Sequence, residues 1–310
     1  MSSAVRPIRI ATRESQLALW QARFIAAEIQ RLAPEQAVEL LPMTTVGDRD
    51  QSSSLPALGG QGVFTREVQK AVLENRADIA VHSLKDLPTD PTPGLVLAGI
   101  PERAPRFDAL VLPHGITGSL DDLPQGARVG SSSPRRQSQL LRQRPDLELL
   151  EIRGNVETRL AKVDRGEFAA TILAEAGLRR LGLAGRISCL LTPPVMFPAV
   201  GQAALGVECR EQDELCREIL GRMTDLNTRA EVLAERACLS TLRAGCHAPV
   251  GVFSTVQDGV LTLQAVVLDR AGRQFFKIEE TGPITAPTEI GARAAEKLIA
   301  QGASSVLASN

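Results

Sequence analysis

Apolar and polar positions alternate in two rhythms along the first two-thirds of the chain. Ile8–Ala11 is a short apolar run that reads as a strand. Ser15 to Leu32 follows with Leu17, Trp20, Phe24, Ala27 and Ile29 near helical spacing, which predicts an amphipathic helix. Val38–Val46 predicts another strand and Phe64 to Glu74 another helix. Ile79–Leu84 is apolar and short enough for a strand buried in a parallel sheet. Leu95–Ile100 and Leu110–Leu112 add two strands, with Pro101 to Pro105 as the connection between them. The rhythm then restarts: a strand ending at Arg128–Gly130, a helix Pro134 to Arg144, a strand Leu147–Ile152, a helix Asn155 to Arg165 and a strand Ala169–Leu173. Such alternation predicts a mostly parallel, doubly wound α/β sheet with helices on both faces, here built twice. Two lobes of this kind hold a ligand between them, at the carboxyl ends of their strands.

From about Asp213 the pattern changes. A long helical run reaches Leu242, and three strands follow at Gly251–Val256, Val260–Asp269 and Arg273–Thr281. Gln-Asp-Gly and Arg-Ala-Gly turns join them into a meander, and a last helix spans about Thr288 to Gln301. This predicts a C-terminal α+β domain with a three-stranded antiparallel sheet. Between the helical run and the meander lies Ala244-Gly-Cys-His-Ala-Pro-Val-Gly251, which sets Cys246 on a loop bounded by glycine and proline. Loops carry chemistry on rigid scaffolds, and thiolate is a strong nucleophile. Cys189, Cys209, Cys216 and Cys238 lie inside apolar segments and read as small core residues.

Composition narrows the classes. The chain has 310 residues, 44% hydrophobic and 23% charged, with a formal net charge of −1. That balance argues against nonspecific nucleic-acid binding, which needs a basic excess to displace counterions. No apolar run reaches the roughly 18 residues of a membrane span. The first residues lack the apolar core of a signal peptide. Five cysteines without a Cys-x-x-Cys pair suit a reducing cytoplasm. Three scattered histidines argue against a metal site.

The candidate chemistry gathers at strand–helix junctions. Gly130-Ser-Ser-Ser-Pro-Arg-Arg136 offers a capping serine at Ser133, proline at the first helical position, and two guanidiniums beside free backbone N–H groups. That combination suits an anion. Ile10-Ala-Thr-Arg13-Glu-Ser15 repeats the device in the first lobe, and Arg153-Gly-Asn155, with Arg159 one turn on, repeats it in the second. Recurrence of this kind predicts a ligand bearing several carboxylates or phosphates. Val81-His-Ser-Leu-Lys-Asp86 places Lys85 and Asp86 at the carboxyl end of a strand, where an ionised Asp86 could stabilise a developing positive charge or move a proton.

Taken in order, several segments resemble the porphobilinogen deaminase (hydroxymethylbilane synthase) family, from about Arg9 to the C-terminal helix. They are Arg-Ile-Ala-Thr-Arg13, Gly-Gly-Gln-Gly-Val-Phe64-Thr-Arg-Glu, Ala77-Asp-Ile-Ala-Val-His-Ser-Leu-Lys-Asp86 and Ser132-Ser-Pro-Arg-Arg136. Arg153-Gly-Asn-Val-Glu-Thr-Arg159, Ala199-Val-Gly-Gln-Ala-Ala and Gly245-Cys246 complete the set. The resemblance implies two periplasmic-binding-protein-like lobes, residues 1–103 with 200–222 and residues 104–199, and a cysteine-bearing third domain at 223–310. It implies a dipyrromethane cofactor held by Cys246 through a thioether and contacted by Ser83, Lys85, Asp86, Ser131, Ser133, Arg135 and Arg136. It implies Asp86 as the catalytic carboxylate, and Arg13, Phe64, Arg153, Arg159, Arg180 and Gln202 as substrate-binding residues, with no metal. The implied reaction joins four porphobilinogen molecules head to tail with loss of ammonia. Hydrolysis to hydroxymethylbilane follows, in tetrapyrrole (haem or chlorophyll) biosynthesis, by a cytoplasmic monomer acting on neither nucleic acid nor membrane.

This chain departs from the family pattern at Ala57 and Gln61, where lysines are common, at Phe107, where arginine is common, and at Ala203 and Ala244, where glycine is usual. Ser131 stands for a usual threonine. Two rival classes use the same features. A two-lobed anion receptor would need no looped thiol. A cysteine hydrolase would need a histidine base, for which His247 is too close in sequence and His82 is the alternative.

Overall fold

The first sheet grows around β1 (Ile8–Arg13), whose branched residues Ile8 and Ile10 are sealed from solvent. A computed structural model describes residues 6–45, 62, 65–245 and 248–308. β1 pairs in parallel with β2 (Val38–Met43) and β3 (Ile79–Ser83). Helix α1 (Gln16–Leu32), capped by the Ser15 hydroxyl on the Ala18 N–H, lays Ala22, Ile25 and Ile29 onto these strands. Helix α2 (Arg66–Leu73) covers the other side with Val68, Ala71 and Val72. β4 (Leu95–Gly99) closes the sheet, in the order β2-β1-β3-β10-β4, where β10 is Leu205–Arg210.

The second sheet repeats this plan. β5 (Asp108–Val111), β6 (Arg128–Gly130), β7 (Glu148–Leu150), β8 (Ala170–Ala174) and β9 (Cys189–Leu191) lie in the order β7-β6-β8-β5-β9. Helices α3 (Pro134–Gln143), α4 (Val156–Asp164) and α5 (Glu175–Arg180) connect or flank them. β6 is parallel to both β7 and β8.

Each sheet is mixed where the alternation of elements predicts mostly parallel strands. In the second, β5 runs antiparallel to β8 and β9. In the first, β10 (Leu205–Arg210) runs antiparallel between β3 and β4. Leu205, Val207 and Cys209 alternate with Gly206, Glu208 and Arg210, a pattern that by itself predicts nothing more than a half-exposed strand. Tertiary contacts decide otherwise. Glu208 is buried and accepts a 2.9 Å hydrogen bond from Gln69 Nε2, with His82 Nε2 also 2.9 Å away. At Gly206 a Cβ would stand 2.4 Å from Leu84 Cδ1, so glycine lets the strand in.

The helical run after Asp213 is two helices, not one. α6 (Glu214–Arg222) begins where Asp213 Oδ1 accepts the Cys216 N–H at 3.1 Å. α7 (Leu226–Thr241) restarts where Asp225 Oδ1 accepts the Thr228 N–H at 2.7 Å. Two aspartate caps within one apolar pattern break it. β11 (Val250–Gln257), β12 (Val260–Leu268) and β13 (Phe275–Pro283) then form the antiparallel meander. Helix α8 (Pro287–Ala300) buries Ile290, Ala294, Ala295 and Leu298 against Leu261, Leu263 and Ala265, and a short α9 (Ala303–Ala308) follows.

Contacts divide the chain into two units, Met1–Arg103 with Ala204–Arg229, and Ala104–Ala203 with Ala230–Asn310. Asp78, at the start of β3, anchors the first unit. Arg6, Arg9 and Arg210 reach its carboxylate at 2.7, 3.1 and 3.2 Å. Burial acts to raise the Asp78 pKa, but these hydrogen bonds outweigh it and hold the group below the ordinary carboxylate range.

Candidate functional site

The parallel register of β1 and β3 (Ala11 beside Ala80) brings Arg13 and the Ser83–Asp86 segment to one edge of the first sheet. β3 ends in a tight turn over Leu84–Asp86. The buried Leu84 pins that turn from below, and its N–H donates to the Ala204 carbonyl at 3.0 Å. Lys85 and Asp86 are therefore held on a short, fixed segment, both half-buried. Among the described residues, no hydrogen bond or ion pair engages the Asp86 carboxylate. Ser83 is used differently: its hydroxyl exchanges hydrogen bonds with the Gln21 amide at 2.8 and 3.2 Å, tying β3 to α1.

In the second unit, the Gly130–Arg136 junction has the form the sequence predicts. Ser133 caps α3 by accepting the Arg136 N–H, and Pro134 opens the helix. Ser131 is buried, and its hydroxyl accepts the Ser133 N–H at 3.3 Å. The two arginines turn inward to a residue that sequence reasoning missed. Asp108, fully buried at the start of β5, receives Arg135 Nη1 at 2.7 Å on Oδ2. Arg136 Nε and Nη2 reach its Oδ1 at 3.0 and 2.7 Å. Arg136 Nη1 donates to the Ile172 carbonyl at 2.9 Å, so all three nitrogens of that guanidinium are engaged. Arg135 commits only Nη1, to Asp108 and to the Phe197 carbonyl at 2.6 Å. Its Nε and Nη2 make no hydrogen bond among the described residues.

Burial acts to raise the Asp108 pKa, but the charges and hydrogen bonds of Arg135 and Arg136 override it and keep the carboxylate ionised. Burial also lowers the Arg135 pKa, partly offset by Asp108. Gln202 joins the same hub, its Nε2 donating to Asp108 Oδ1 at 3.1 Å and to the Arg106 carbonyl at 2.8 Å. The one available signal for Asp108 was an acidic residue opening an apolar strand, Asp108-Ala-Leu-Val, in a chain with two adjacent arginines to neutralise.

The remaining candidates of this unit lie on the loop after β7 and on α4 and α5. Arg153 bonds Glu151 at 2.7 Å, and Arg159 Nε donates to the Gly154 carbonyl at 2.9 Å. Gly154 has φ +107, and a Cβ there would lie 2.6 Å from Thr158 Cγ2, so this turn requires glycine. Asn155 caps α4 through its Oδ1 on the Thr158 N–H at 2.8 Å. Arg180 Nη2 donates to the Ala203 carbonyl at 2.7 Å, and burial lowers its pKa to about 10. Ala203 holds a left-handed φ of +71, a conformation that costs an alanine of order 1 kcal/mol.

Phe64, Cys246, Ala57 and Gln61 lie outside the described residues. Gly245 and Ala248, on either side of Cys246 and His247, are joined by a 2.9 Å hydrogen bond from the Ala248 N–H to the Gly245 carbonyl. Burial pushes up the other thiols, Cys209 to about 11 and Cys238 to about 12, and raises Cys216 and Cys189 as well. None of the four favours thiolate near neutral pH. Among the described residues no group of three or more His, Cys, Asp or Glu could hold a metal ion, and no helix is long and apolar enough to cross a membrane.

Comparison with known families decides the relationship. Residues 8–218 match the family described as porphobilinogen deaminase, dipyromethane cofactor binding domain, and residues 229–300 match its C-terminal domain. The chain belongs to the porphobilinogen deaminase family. Residues 8–218 are thus the domain that binds the dipyrromethane cofactor, in a family of tetrapyrrole-synthesising transferases that act on porphobilinogen. Among solved structures, the chain is similar to the VFT2 domain of BvgS from Bordetella pertussis at 15% identity and TM-score 0.43, covering 71% of this chain and 86% of that one. It is also similar to the periplasmic aliphatic sulphonate binding protein SsuA from Escherichia coli, at 15% identity and TM-score 0.40 over 78% of this chain and 71% of that one.

The residues at the strand ends fit a porphobilinogen deaminase cofactor in their donor chemistry. A dipyrromethane bears several carboxylates. Around the Gly130–Arg136 junction the chain supplies helix N–H groups, a serine-lined turn and the uncommitted edge of Arg135. Arginine is the apt cation because its planar fork grips carboxylates and stays charged.

Proposed function

We propose that this chain condenses four porphobilinogen molecules head to tail, with release of ammonia, and then hydrolyses the product to hydroxymethylbilane. The reading includes Cys246 as the thioether attachment point of the dipyrromethane and a monomeric enzyme in the cytoplasm. When bound, the dipyrromethane supplies the pyrrole carbon at which the chain grows. The observation that supports this most is the family match running through both the cofactor-binding and C-terminal domains. The raised pKa values of the four described cysteines favour Cys246 as the reactive thiol.

In this reading Asp86 is the catalytic residue. Loss of ammonia leaves an electron-poor pyrrole whose nitrogen carries positive character. A carboxylate on a fixed turn, unspent on other partners among the described residues, can accept the pyrrole N–H and balance that charge. Lys85, Ser83, Ser131, Ser133, Arg135 and Arg136 take the cofactor-binding roles, Arg136 acting through Asp108. Arg13, Phe64, Arg153, Arg159, Arg180 and Gln202 take the substrate side, with the guanidiniums holding acetate and propionate groups. Gln202 acts from the Asp108 hub.

The intact mass of the purified chain beside Cys246→Ser tests the assignment. The expected result is an added mass of two linked pyrrole units on the wild type and none on the variant. A wild-type chain that stays unmodified after incubation with porphobilinogen sinks the reading and leaves a two-lobed anion receptor.

A further inference from the structure

A second basic site lies at the far end of α3 from the strand-end junction. The β12–β13 turn packs onto the last turns of this helix so closely that a Cβ at Gly272 would stand 2.3 Å from the Ser138 carbonyl oxygen and 2.7 Å from the Arg142 nitrogen. The contact leaves a cleft of about 640 Å³ lined by Leu141, Arg142, Gln143, Pro145 and the turn residues Ala271–Arg273. That volume suits a small molecule rather than a lone ion.

Among the described residues no ion pair compensates the charge of Arg142 or Arg273 in this cleft. Elsewhere in the unit, Arg144, Arg165, Arg179 and Arg186 each face a carboxylate within 3 Å. Arg142 and Arg273 face none among the described residues. The Arg142 guanidinium instead lies over the Phe275 ring, 4.1 Å from its centre. A cation over a ring face keeps its charge and its N–H donors. The backbone N–H groups of Ala271 and Arg273 also donate to no group among the described residues.

We infer that this cleft binds a small polyanion, a molecule carrying several carboxylates or phosphates, between Arg142 and Arg273. The site is separate from the strand-end arginines and does not depend on the proposed reaction. Occupancy braces the helix whose first turn carries Arg135 and Arg136.

Hydrogen exchange read by mass spectrometry on the full chain tests this, with inorganic pyrophosphate and tricarballylate as probes and chloride at matched ionic strength as control. Saturable protection of residues 141–145 and 269–275 is expected, with Tm rising about 3 °C at ten times Kd. Arg142→Gln with Arg273→Gln should abolish protection there while leaving any at residues 131–159 intact. The milder Arg273→Gln, at an exposed turn, should weaken binding by about tenfold and serves if the double variant unfolds. Response to pyrophosphate alone assigns a phosphate ligand, and response to tricarballylate alone a carboxylate one. Protection confined to residues 131–159, equal protection in the variants, or an equal effect of chloride overturns the site.

Discussion

Replacing Asp108 by asparagine removes the single negative charge that compensates two buried guanidiniums. The side chain is fully buried, and Arg135 and Arg136 are only 5% and 7% exposed, so water cannot take over its role. Four hydrogen bonds end on the carboxylate, from Arg135 Nη1, Arg136 Nε, Arg136 Nη2 and Gln202 Nε2. Asparagine can keep those on one oxygen, but its amide nitrogen then faces Arg135 Nη1, donor against donor. Breaking a buried ion pair by removing one partner costs about 3–5 kcal/mol. At roughly 2–4 °C per kcal/mol for a unit of this size, Tm should fall by about 6–20 °C. Thermal and urea unfolding, followed by circular dichroism, measure this directly. The folded pKa of Asp108 is depressed, so its contribution is complete above the unfolded carboxylate value of about 3.9 and is lost as pH falls through the folded value. The wild type should therefore lose stability steeply below about pH 4, and Asp108→Asn less steeply, with Asp78, Asp146 and Asp164 among the carboxylates that supply the remaining slope. A loss under about 1 kcal/mol at neutral pH would refute the hub.

Three further outcomes follow from the site geometry. Asp86→Asn should cut turnover at least about 100-fold with Tm unchanged, because the carboxylate supports no contact among the described residues; near-normal turnover removes Asp86 from catalysis. Arg136→Lys should cost at least about 2 kcal/mol, since one ammonium cannot replace three engaged nitrogens. Arg135→Lys should instead lower Tm less than Arg136→Lys while reducing cofactor loading read by intact mass, and equal losses of Tm in the two variants would show that Arg135 has no free edge to offer.

The local geometry of the strand–helix junctions was legible because its signals are local. A β-strand followed by Lys85-Asp86 puts a carboxylate at a strand end whatever the rest of the chain does, and Ser15, Ser133 and Asn155 cap their helices through groups three residues away. The three strands of the C-terminal meander were legible too, since turn residues and alternation act over a few positions. The long-range pairings were not. Glu208 reads as a solvent residue until Gln69, distant in sequence, donates to it inside the sheet. The direction of β10 depends on where the chain returns from the second unit, which no local pattern encodes.

The arginine pair shows the division most plainly. Sequence alone determined that two guanidiniums stand at the start of a capped helix, a place that attracts anions. Only the tertiary structure decided that a buried aspartate, 28 and 27 positions upstream, takes two nitrogens of Arg136 and one of Arg135. The reason is physical: burying an arginine is tolerable only beside a counter-charge, and which carboxylate is near depends on the folding of the whole unit.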